Sequence, residues 1–221
     1  MKDPKTATPE ELQEHAVQAV LSSAIGQGKL DLSGLPNDEA DAKIRDYLAN
    51  FAQDDSPIYG NVDHRPMLLD AAHQLRTDDN YFLAALLYST WAEHWLNFAI
   101  SNLAQRTGFD DNRITAIIRD VPLRGKLTWL LPLLGATEIE ESHRNAVVTL
   151  SSQRNCFVHY KWKFTDIDDS WEITLAAIKV AVNDFPSTIC YFESYEQSNI
   201  FGDGMIHAER YVARNRQKDG G

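Results

Sequence analysis

The run from Tyr81 to Ile100 is apolar over almost its whole length, and it constrains the fold more than any other part of the chain. The pattern predicts one long helix from about Asn80 to Arg106, closed by Gly108. Its apolar residues cover nearly every face. A helix of that kind must be surrounded, so other helices have to be built round it. A bilayer is the alternative surrounding, since about 20 mostly apolar residues suffice to cross one. Glu93, His94 and Asn97 near the middle of the run are costly in hydrocarbon, so it reads as the core helix of a globule with no membrane span.

The rest of the chain reads as helix after helix. Thr8-Pro9-Glu10-Glu11 is a helix start, and that helix ends at Gly26. Gly28 to Pro36 is a loop. Ala40, Ile44, Tyr47, Leu48 and Phe51 have helical spacing within Asp38 to Gln53. Asp54 to Pro66, with Pro57 and Gly60, is a linker. Met67 to Leu75 is a short helix, and Arg113 to Gly135 holds two shorter ones separated near Pro122. Glu138 to Trp162 is helical, with Ala146, Val147, Leu150, Phe157 and Val158 as its core stripe. Asp169 and Glu172 form a capping-box pattern that opens a helix through Val182. Pro186 then kinks or restarts it toward Tyr195. No strand series and no repeat is visible. The predicted class is all-α: a bundle of about four helices with additional N-terminal helices. Residues 1–60 form the N-terminal helical extension, 61–200 the bundle, and 201–221 a polar basic tail after Gly202-Asp203-Gly204.

A chain of 221 residues with 43% hydrophobic content can bury one good core, or one core plus a small appendage. The net charge of -11 excludes a protein that coats nucleic acid nonspecifically, so any RNA contact must be local. Cys156 and Cys190 lack Cys-x-x-Cys spacing and sit in apolar patterns. With no signal-peptide core after Met1, they read as reduced core residues of a cytoplasmic protein. The seven histidines show no metal-ligand spacing, and no phosphate-cradling glycine loop or nucleophile elbow occurs. No metal and no cofactor is expected.

Chemistry concentrates in one segment. Arg154-Asn155-Cys156-Phe157-Val158-His159 places a permanent cation and a proton-transfer residue on one helix. Asn155 and His159 are four apart and stack on one face, and Arg154 is one step round. Such a trio can hold a phosphodiester and move protons without a metal. The plainer reading of Arg154 is a helix-surface cation paired with Glu140, Glu141 or another carboxylate. Lys161, Lys163, Arg124 and Lys126 are candidate RNA-contacting cations; their plainer reading is solvated surface charge.

The Arg-Asn-x-x-x-His pattern resembles the signature of the HEPN superfamily, many of whose members are metal-independent endoribonucleases of toxin and defence systems. Ala92-Glu93-His94-Trp95-Leu96-Asn97 also resembles that family's first long helix, where a polar residue often faces the cleft. The resemblance covers about residues 64–200 and implies a HEPN-like helical bundle. It implies catalytic roles for Arg154, His159, Asn155 and Glu93. It further implies 2′-OH attack leaving a 2′,3′-cyclic phosphate, and a homodimer with the motif at its interface. A toxin of this type would have an antitoxin or regulatory protein partner. The single motif histidine and the tryptophans Trp91, Trp95, Trp129 and Trp162 are the sequence grounds for expecting that dimer. The residues leave open a catalytically silent HEPN module that binds a nucleotide or a protein, and a helical interaction protein with a fortuitous motif.

Overall fold

The computed structural model describes residues 8–53, 63–158 and 167–219. Among these, every regular element is helical. They are α1 (Pro9–Gly26), α2 (Asn37–Gln53), α3 (Arg65–Thr77), α4 (Tyr81–Arg106), α5 (Asp111–Asp120) and α6 (Leu123–Gly125). A π-helical turn, π1 (Lys126–Leu130), joins α6 to α7 (Leu131–Leu133); α8 (Glu141–Val158) and α9 (Ile167–Glu196) follow. A second π-helical turn, π2 (Gln197–Phe201), leads to α10 (Gly204–Asp219).

Helix α4 is the axle. The Asn80 side chain accepts from the Leu83 amide at its start, and Gly108, with φ 83°, turns the chain after it. Tyr88, Trp91, Trp95, Ala99 and Ile100 are all buried, so the all-round apolar pattern has the consequence expected of it. Helices α3, α8 and α9 surround it. Against α9 it forms an aromatic ladder. Tyr88 lies 5.3 Å from Phe185, and Trp95 stacks on Phe192 with ring centres 4.2 Å apart and planes 14° from parallel. Such ring pairs add ~0.5–1.5 kcal/mol beyond area burial. Pro186 does not break α9, which continues through it.

Arg65, at the start of α3, ties that helix to the far end of α9. Its guanidinium meets Glu196 at 2.7 Å and Asp63 at 2.9 Å, and lies over the Phe98 ring at 4.1 Å. Burial pushes the Glu196 carboxyl up. Arg65 only partly offsets this.

A second core lies beyond the C-terminus of α4. Thr8 and Glu11 close a reciprocal capping box on α1, which buries Leu21, Ala24 and Ile25 against Leu30, Leu32, Ala40 and Ile44. The residues expected to form a polar tail complete this core. Residues 204–219 are helical, and Met205, Ala208, Tyr211 and Val212 pack on α1 and α2. Their spacing of three and four is an apolar stripe diluted by the charges between them. Asp41 on α2 is buried and takes Arg210 and Arg214, each at 2.9 Å. The basic residues of the C-terminus therefore serve a fold contact. Gly204 permits the close approach, since a Cβ there would meet Ile25 Cγ2 at 2.8 Å. Arg106 joins the two cores by donating to the carbonyls of Gly26, Ile25 and Ile200.

Two further expectations are corrected. Cys190 is exposed, because α9 turns its neighbours Ile189 and Phe192 inward instead. Trp91 and Trp95 are core residues of one chain and supply no surface for a second. Of the linker expected over Asp54 to Pro66, Arg65 and Pro66 instead open α3, and residues 54–62, like the motif helix beyond Val158, lie outside the described residues.

Candidate functional site

The polar residues of α4 are not scattered. Ser89, Glu93 and Asn97 recur every fourth position, so they form one ridge along an otherwise apolar helix. That ridge faces α8 and the start of π1. Ser89 is buried and its hydroxyl lies 3.3 Å from that of Ser151, also buried, on α8. One turn along α8 from Ser151, the Arg154 guanidinium forms an ion pair with the Glu93 carboxylate. Its Nε lies 3.5 Å from Ser89 Oγ, at the outer limit of a hydrogen bond. One turn further along α4, Asn97 Oδ1 accepts from Lys126 Nζ at 3.1 Å.

The result is a strip of two cations and one carboxylate between α4, α8 and π1. Burial pushes the Lys126 ammonium below its ordinary pKa, and the Glu93 charge pulls the other way. The Arg154 side chain is 21% exposed and that of Glu93 43%. The arginine is thus held in the wall while its carboxylate partner reaches solvent. This geometry offers an arriving anion the Arg154 guanidinium, which the anion must share with or take from Glu93. Strip and motif meet at Arg154, the first residue of the Arg-Asn-x-x-x-His pattern.

Of the sequence candidates, Arg154, Glu93 and Lys126 come together. The carboxylate on Arg154 is Glu93, not Glu140 or Glu141. Lys126 is half-buried and bonded rather than a solvated surface charge. Asn155 is exposed on α8. Arg124 is exposed and its guanidinium has no hydrogen-bond or ion-pair partner among the described residues. His159, Lys161 and Lys163 lie outside the described residues. Ser89 and Ser151 were not singled out in the sequence. The period-four polar ridge on α4 is the signal that finds Ser89. Asn97, four residues from Glu93 on that ridge, accepts from Lys126. Among the described residues no group of His, Cys, Asp or Glu is arranged to hold a metal ion.

No helix among the described residues is long and apolar enough to cross a membrane. No protein-family model matches the chain, and no curated protein or solved structure does either.

Proposed function

We propose that the chain is a metal-independent endoribonuclease of the HEPN type, acting at the α4–α8 seam. The observation that carries this reading is the meeting of Arg154, from the motif helix, with Glu93 of the central helix, and Lys126 alongside. In the reaction, the ribose 2′-OH attacks the adjacent phosphorus and the bond to the 5′-oxygen breaks. The products are a 2′,3′-cyclic phosphate and a 5′-hydroxyl. Arg154 binds the phosphate oxygens whose charge grows in the transition state. Lys126 adds a second positive charge beside Glu93. His159 takes the 2′-OH proton or supplies one to the leaving 5′-oxygen. A second copy related by a two-fold axis provides the other histidine. Asn155, exposed beside Arg154, orients His159 or holds a phosphate oxygen.

Cleavage of single-stranded RNA in EDTA, with DNA left intact, is the expected result. Arg154→Ala and His159→Ala should each lose most activity while keeping helical circular dichroism. Activity that disappears with EDTA and returns with a divalent ion would overturn the mechanism. A second reading has its own observation: the Arg154 guanidinium already carries a carboxylate, and the chain bears a net charge of -11. Both suit a silent HEPN module that binds a nucleotide or a protein. Binding without cleavage by the wild type, at any enzyme concentration, selects that reading.

A further inference from the structure

We propose that Trp129 is a stacking platform for an unpaired RNA base, placed beside the cations that take the neighbouring phosphates; this extends the RNA reading above. The segment from α6 through π1 to α7 buries Leu127, Leu130 and Leu131 on its inner side, so it has an apolar interior available. Trp129 is left out of it, 52% exposed. The ring is nevertheless not loose. A Cβ on Gly125 would lie 3.0 Å from Trp129 Nε1 and 3.1 Å from Val121 Cγ1. The absent side chain at 125 therefore leaves the space in which the indole settles against the backbone, with the rest of its surface in solvent. The π-helical turn re-aims side chains relative to a regular helix, and such turns recur at functional sites.

The charge around the ring selects its occupant. Gly125, on which the ring rests, is flanked in sequence by Arg124 and Lys126. Arg124 is exposed with no side-chain partner among the described residues, an unmatched cation on a chain of net charge -11. Lys126 leads by way of Asn97 to Glu93 and Arg154. A nucleotide chain has the matching chemistry: every base has a π-face for the indole and every linkage a negative charge for the cations. A second copy of this chain suits the patch less well. A two-fold axis through Trp129 would bring Arg124 and Lys126 toward their own equivalents, and like charges facing each other oppose association.

The test uses the full-length chain and a single-stranded oligoadenylate of about 10 nucleotides, a length within the usual span of such sites. Its riboses are 2′-O-methylated, so the 2′-OH route to cleavage is blocked. The wild type should bind with quenching of tryptophan fluorescence. Trp129→Phe should keep most of the affinity and lose most of the quench, which assigns the signal to one of the five tryptophans. Trp129→Ala and Trp129→Leu should each weaken binding about tenfold, and Leu133→Ala, at another exposed apolar residue, should not. The proposal is overturned if Trp129→Ala binds as tightly as the wild type, if the leucine variant restores affinity, or if no oligonucleotide binds. It is also overturned if the alanine variant only dissociates a dimer. An all-ribose oligonucleotide separates this proposal from the one above. Trp129-dependent binding without cleavage leaves the platform standing and removes the ribonuclease. Cleavage indifferent to Trp129→Ala does the reverse.

Discussion

Replacing Glu93 by Gln exposes a conflict built into the seam, because the carboxylate competes for Arg154 with any phosphate that arrives. The Glu93 side chain is 43% exposed, so its pairing with Arg154 is of the partly solvated kind that contributes ~0–1 kcal/mol. Its loss should lower stability by no more than that. The same energy is what a phosphate must overcome to occupy the guanidinium, and ~1 kcal/mol corresponds to about fivefold in affinity. Glu93→Gln should therefore bind an uncleavable 2′-O-methylated RNA two- to about fivefold more tightly. Catalysis should move the other way. The carboxylate holds Arg154 in place and is the described base nearest it, and loss of a positioned acid–base group costs about a hundredfold or more. Fluorescence anisotropy for affinity and single-turnover cleavage for rate give the two numbers on one protein. Weaker binding by the glutamine variant would refute the competition argument. It would mean that Glu93 orients Arg154 for phosphate instead of screening it. Unchanged cleavage would remove Glu93 from the catalytic set.

Asp41→Asn should destabilise the chain by ~2–4 kcal/mol in urea unfolding, toward the low side of a broken buried pair because Arg214 is half exposed; a loss under 1 kcal/mol would show α10 held by its apolar stripe alone. Stability should also fall with acid. Burial pushes the Asp41 and Asp63 carboxyls up, but their arginine partners overcome this and hold both below the ordinary value. That contribution is present above the unfolded pKa and lost as pH falls through the folded one, so melting temperature should drop below about pH 4, less steeply in Asp41→Asn. Glu196 is shifted the opposite way, and its protonation on acidification works against that drop, so Glu196→Gln should steepen it. RNA binding confined to Arg154, Lys126, Arg124 and the two lysines beyond the described residues should show a log–log salt slope of roughly -2 to -3; one steeper than about -6 would demand a far larger basic surface.

Much of the fold was legible because the strongest signals were local. The helix start at Thr8-Pro9-Glu10-Glu11, the helix from Asn80 to Gly108 and the break near Pro122 are each written in a few adjacent residues. The misreadings share a physical cause. In the stretch 204–219 the apolar residues are outnumbered by charges, and composition there looked like a solvated tail. What makes it a docked helix is Asp41, which lies far away in sequence and turns Arg210 and Arg214 from surface charges into anchors. At Pro186 the helix does not restart. A proline marks the likeliest break in an isolated helix, but flanking Val182, Phe185 and Ile189 are all buried against the core, and that packing carries α9 through.

The site was legible one residue at a time and not as pairs. Arg154 and Glu93 each stood out, the first by the motif and the second as a charge in an apolar run. Their partnership depends on how α8 is rotated against α4. That rotation is set by buried contacts such as Val147 and Leu150, together with the Ser89–Ser151 contact, none of which involves the charges themselves. Lys126 was harder still, since its partner Asn97 lies 29 residues away on another helix. The same packing explains why Arg154 can matter on so acidic a protein. The guanidinium lies in the wall, held by a carboxylate partner on the solvent side. On the proposed reading, the net charge of -11 repels a polyanion from most of the surface, and RNA binding would be confined to the seam.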